Sequence, residues 1–142
     1  MRSFAKRLID FEALSNTSPA AQTAAAFPVT DKLRPLLATL MGDGGVRALL
    51  SRALVLATTE VSWLRAVQVN ADGGLEGFEL LDSQIDPSEF VEGRVVLLAQ
   101  LLGLLVALIG PNLTSRLSGE IWPQISLNEQ DSGEEVKSEK AN

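Results

Sequence analysis

The chain has 142 residues, enough for one domain with a hydrophobic core and too few for two, and its 46% hydrophobic content excludes a chain that is disordered throughout. Its net charge of −6 argues against a nucleic-acid partner, because phosphate binding needs a basic surface. The sequence contains no His, Cys or Tyr, which excludes a Ser-His-Asp triad, a Cys-His pair and a zinc site built on His or Cys within this chain.

The first segment, residues 1–14, is predicted to form an amphipathic helix. Phe4, Leu8 and Phe11 recur at helical spacing, with charged residues on the rest of the wheel. Asp10 and Glu12 interrupt the place where a secretory signal would need an apolar run. Together with the absence of cysteine, this favours a cytoplasmic protein. Residues 15–29 are small, polar and Ala-rich, and predict a linker before a core domain at 30–122.

Two helices are expected next, at about 33–41 and 44–60. Pro35 suits the first turn of the former, Gly42 its C-terminal end, and Asp43 the N-cap of the latter. Glu60 falls on the apolar side of the second helix. A carboxylate there marks the helix end, pairs with a cation such as Arg52 or Arg94, or has a raised pKa.

Trp63 and Trp122 stand near the ends of predicted helices. Both are expected to pack over the ends of the bundle, with an exposed anchor in an interface as the alternative.

A β-hairpin is predicted at about 66–79, where the period changes. Apolar and polar residues alternate before the turn residues Asp72, Gly73 and Gly74, and a weaker second arm follows. A continued helix is the alternative.

A long helix is predicted from Pro87 to residue 109. Asp86 supplies an N-cap acid, Pro87 a first helical residue, and Glu89 follows three residues after the cap. Pro111 must kink or restart the helix, which continues to about Trp122. The acidic tail, 123–142, has few apolar side chains and is expected to be disordered.

Residues 95–109 of this helix are apolar on all sides. At 1.5 Å per residue they span about 22 Å, short of the ~30 Å hydrocarbon core of a bilayer. The pattern therefore favours the central buried helix of a small bundle, and a membrane-inserting helix is the alternative.

Ala99, Gly103 and Ala107 form a strip of small residues on this helix, with Gln100 beside it. Such a strip permits close approach of a second helix. The neighbour belongs to the same chain or to a second copy. In the second case, two copies of Gln100 would be able to hydrogen-bond across a two-fold axis.

Residues 72–92 carry seven carboxylates and no Lys or Arg. Three interpretations stand: a solvated face, a docking surface for a basic protein partner at Glu76, Glu79 and Asp82, or a divalent-metal site built from the same three residues. No EF-hand spacing or similar frame accompanies them, so we expect no metal and no cofactor.

The sequence thus predicts a mainly α protein, a small helical bundle around the helix at 87–109. Its expected function is non-catalytic: a self-associating interaction or assembly protein that serves as an accessory or scaffold subunit. The alternatives are a membrane-active helical protein and a magnesium-dependent enzyme that uses the carboxylates of residues 72–92.

Overall fold

The computed structural model describes residues 1–15, 28–70, 74–81 and 84–125, and these are mainly helical, as predicted. The helices are α1 (Arg2–Ser15), α2 (Pro28–Thr58), α3 (Phe78–Leu81), α4 (Pro87–Ile109) and α5 (Pro111–Ile121), and the strands are β1 (Gln68–Val69) and β2 (Leu75–Glu76). A 3-10 turn at Ser62–Ala66 connects α2 to β1.

Helix α4 is the centre of the bundle, since α1, α2 and α5 all pack against it. Its most buried side chains are the leucines 97, 98, 101, 102 and 105, each at most 1% exposed. The burial does not extend to the end of the helix, because Gly103, Ala107 and Leu108 are exposed. Helix α4 is thus the central buried helix that the sequence predicts, with some exposed side chains in its last two turns.

Helix α2 begins at Pro28, five residues before the predicted start. Pro28 takes the place in the first turn that we assigned to Pro35, and Asp31 supplies the acidic residue of that turn. Pro35 therefore lies inside the helix. The predicted break at Gly42 is confirmed: its φ of 78° is non-helical and separates α2 into two halves.

The predicted hairpin is confirmed, in a shorter form. Gln68 pairs with Glu76 and Val69 with Leu75 in an antiparallel ladder. The second arm ends there because Gly77 has a φ of 109° and the chain turns into α3. A side chain at position 77 would begin 2.6 Å from the carbonyl oxygen of Ala66, so this close approach requires glycine.

Helix α4 begins at the predicted residue, but its N-cap side chain does not make the expected hydrogen bond. Pro87 is the first helical residue and Asp86 the N-cap, but the Asp86 side chain caps no backbone amide. Its Oδ2 instead accepts a hydrogen bond from the Ser88 hydroxyl at 3.1 Å. At the other end the helix restarts: Gly110 adopts a φ of 89° and Pro111 begins α5.

Helix α1 belongs to the same hydrophobic core as the rest of the bundle, since Phe4, Ala5 and Leu8 are fully buried within it. At the other end of the chain, the core includes Ile125, so packed structure extends three residues beyond the expected boundary at 122. The remainder of the predicted linker, 16–27, and of the predicted tail, 126–142, lies outside the described residues.

Candidate interaction surface

The small-residue strip of α4 is divided between the core and the surface. Ala99 is buried, whereas Gly103 and Ala107 are exposed. A Cβ atom built on Gly103 would meet nothing within 4 Å. Gly103 therefore makes no close helix contact within the described chain, and a second molecule remains the open alternative for this part of the strip.

An apolar groove of about 440 Å³ lies between α2 and α4 beside this strip. The small residues Gly45, Ala48 and Ala107 stand along it, and they leave space between the two helices. Its other lining residues are Met41, Leu49, Arg52, Leu104 and Leu108.

Leu108 is 63% exposed at this groove, and Arg52 is the one charged residue in the groove lining. The sequence did not lead us to predict that α2 lines one side of this groove. The available signal was the pair of small residues, Gly45 and Ala48, three positions apart on α2.

Gln100 lies near the middle of α4 and contacts Glu60. Its Nε2 donates to Glu60 Oε2 over 3.5 Å, the long limit of a hydrogen bond. The amide is therefore engaged within the chain, and a bond between two copies of Gln100 stays a prediction.

Glu60 follows the end of α2 by two residues, in agreement with the helix-end interpretation. Its cation partner is Arg2 of α1, not Arg52 or Arg94. The hydrogen bond from Arg2 holds the pKa of Glu60 below its ordinary value, and this outweighs the opposing effect of desolvation. The suggested raised pKa is thus wrong in sign.

The predicted acidic surface is only partly described. Glu76 is exposed on β2, while the side chain of Glu79 and the whole of Asp82 lie outside the described residues. The carboxylates that do gather are Glu60, Glu89 and Glu92, around a depression of about 230 Å³ beside Trp63. Among the described residues, no group of three or more acids is arranged to hold a metal ion.

An aromatic cluster joins the 3-10 turn to α4. Trp63 stacks on Phe90 at 5.5 Å between ring centroids, and Phe78 meets Phe90 edge-on at 5.7 Å. The Arg94 guanidinium lies over the rings of Phe78 and Phe90, at 4.8 and 4.7 Å from their centroids. Trp63 is half-buried here, so packing describes it better than an exposed anchor.

Glu12 is a buried carboxylate that the sequence analysis did not single out. It is 1% exposed, and its Oε2 accepts hydrogen bonds from Lys32 Nζ at 2.7 Å and Trp122 Nε1 at 2.8 Å. Trp122 is itself fully buried, which supports packing over exposure for this residue as well. The three residues connect α1, α2 and the end of α5.

The chain was compared with protein-family models, curated proteins and solved structures, and it matches none of them.

Within the described residues, α4 is the one helix that meets the length and composition required to cross a membrane, with a mean hydropathy of 1.9. Half of its apolar window is buried inside the bundle, and the core helix of a soluble protein meets the same criteria.

Proposed function

We propose that this protein acts by binding, as a self-associating accessory or scaffold subunit of the cytoplasm, and that two copies meet through the apolar groove between α2 and α4. The observation that carries the proposal is the groove itself. It leaves Leu108 63% exposed near the end of α4, the long apolar helix at the centre of the bundle. Covering such a surface is favourable, because apolar area is removed from water.

A second copy is the occupant that the chemistry of the groove favours. In a two-fold dimer the same surface must complement itself, so any net charge on it is repelled by its own copy. Residues 95–109 of α4 have no charged side chain, and the one charge in the groove lining is Arg52 of α2, which must lie apart from its own copy in the dimer. The groove offers both a depression and a projecting Leu108, and two such faces can each receive the other's leucine.

The absence of an active site is part of this proposal. General acid–base catalysis near neutral pH draws most often on His, which the chain lacks, or on a carboxylate or Lys with a strongly shifted pKa. The described carboxylates make no group suited to a metal ion, so the magnesium-dependent alternative has no support from them. Docking of a basic partner on Glu76, Glu79 and Asp82 stays a prediction.

Site-specific crosslinking tests the proposed interface. Since the chain has no cysteine, Ala107→Cys introduces a single thiol at the groove. A bis-maleimide reagent should then join two copies into a covalent dimer in good yield. Val91→Cys is the matched control: it is an exposed site on the same helix, 16 residues and about 24 Å from position 107. Equal yields at the two positions would place the contact elsewhere.

Membrane insertion is the second candidate, favoured by the length and hydropathy of α4. For insertion, α4 would have to leave α1, α2 and α5, against which it packs. Flotation of the full chain with phosphatidylcholine and phosphatidylglycerol vesicles separates the two functions. Self-association predicts that the protein stays at the bottom of the gradient, and insertion predicts that it rises with the vesicles.

A further inference from the structure

We propose that α1 is a releasable cover for α4, and that the contacts of Glu12 act as its latch. Helix α1 packs chiefly against α4, so its departure would uncover apolar side chains of the central helix. The inference concerns opening within one chain and does not depend on self-association.

Specific contacts hold α1 near both of its ends. Near the start, Arg2 pairs with Glu60 and lies 4.0 Å from Glu92. Near the end, Glu12 accepts hydrogen bonds from Lys32 and Trp122. Between these points α1 buries Phe4, Ala5 and Leu8, a small apolar contribution compared with that of α4.

The contacts at the two ends of α1 differ in burial. The side chains of Arg2 and Glu60 are 50% and 43% exposed, so water competes with their pairing. The Glu12 side chain is 2% exposed, and within the described residues Glu12 is the one charged residue that is buried. A buried carboxylate is stable only while donors replace its lost hydration.

The opening of α1 is therefore controlled at the contacts of Glu12. In the closed state the donors Lys32 and Trp122 help to replace the lost hydration of Glu12, whereas in the open state water solvates it. Weakening this contact therefore penalises the closed state of α1 and leaves the contacts between α2 and α4 intact. A short helix with few buried side chains is also the kind of unit that opens before the whole protein unfolds.

Hydrogen exchange of the full chain, read by mass spectrometry for each helix, tests the proposal. In the wild type, amides of α1 should exchange faster than the buried amides of α4. The variant Glu12→Gln keeps the shape and an acceptor oxygen for Trp122 but loses the charge that pairs with Lys32. It should accelerate exchange in α1 by about tenfold, as expected for loss of a charge-assisted hydrogen bond, and leave α4 unchanged.

Two controls make the result specific. Asp10→Asn breaks the exposed pair with Lys6 on the same helix, and it should have little effect on exchange. Lys32→Gln should reproduce the effect of Glu12→Gln from the other side of the contact. If Glu12→Gln accelerates α1 and α4 equally, or if α1 already exchanges as slowly as α4 in both proteins, α1 opens only with the whole fold and the proposal is wrong.

Discussion

At position 93 of α4, the ring of Trp63 lies where a side chain would begin. A Cβ atom built on Gly93 would stand 2.2 Å from Trp63 Cζ2 and 2.8 Å from its Cη2. The stacking of Trp63 on Phe90 thus depends on the missing side chain at position 93. A Cβ atom built on Gly103, on the same helix, would meet nothing within 4 Å.

This contrast predicts opposite effects of one substitution. Gly93→Ala should destabilise the protein by about 1–3 kcal/mol, because Trp63 must move. Gly103→Ala should stabilise it by up to ~1 kcal/mol, since alanine favours a helix and meets no neighbour. Urea unfolding at low protein concentration measures both. A Gly93→Ala protein as stable as the wild type would show that Trp63 does not occupy this position.

The pair formed by Arg2 and Glu60 predicts a dependence of stability on pH. The pKa of Glu60 is lowered in the folded protein, so the pair contributes stability above the ordinary glutamate value, about 4.3. The contribution is lost as the pH falls through the lowered pKa. Denaturant midpoints of wild type and Glu60→Gln should therefore differ at pH 7 and converge in acid.

Arg2→Gln is the control for this experiment, because it removes the other member of the same pair. At pH 7 it should lower the denaturant midpoint at least as much as Glu60→Gln does, because Arg2 also lies 4.0 Å from Glu92, and the double variant should lose no more than Arg2→Gln alone. A difference between wild type and Glu60→Gln that grows as the pH falls would contradict the lowered pKa.

At the scale of the elements, α4 combines a buried part and an exposed end. Leu101→Ala and Leu105→Ala should each cost about 2–5 kcal/mol, because both side chains are almost fully enclosed. Leu108→Ala, a few residues away but exposed, should cost under ~0.5 kcal/mol for the single chain. Unfolding by denaturant at low concentration compares the three. Equal losses would mean that the end of α4 is buried as well.

Element boundaries were predictable where the local signal was unambiguous. Pro87 begins α4, Gly42 breaks α2, and Pro111 begins α5, each as its backbone chemistry requires. The start of α2 was not predictable in this way, because Pro28 and Pro35 offer the same local signal. Packing decides between them: Val29 and Leu33 are buried, so the helix extends back to enclose them.

At the scale of the whole molecule, the helical bundle followed from a helix that is apolar on all sides, since only neighbouring helices can cover it. The extent to which neighbouring helices cover α4 was not predictable, because it depends on where α2 turns at Gly42 and where α1 lies. Glu12 was unpredictable for a similar reason: its donors, Lys32 and Trp122, lie 20 and 110 residues away. Of the groove between the two helices, the α4 side was consequently predicted from the sequence and the α2 side was not.

In the proposed dimer, two copies associate through the groove that Leu108 lines. Light scattering coupled to size-exclusion chromatography, over a series of concentrations into the high micromolar range, tests it most directly. The wild type and the control Val91→Lys should approach twice the chain mass of 15.2 kDa as concentration rises, while Leu108→Lys should remain at the mass of one chain. A wild type that stays at 15.2 kDa throughout, or a Leu108→Lys protein that associates as well as the wild type, would contradict the account.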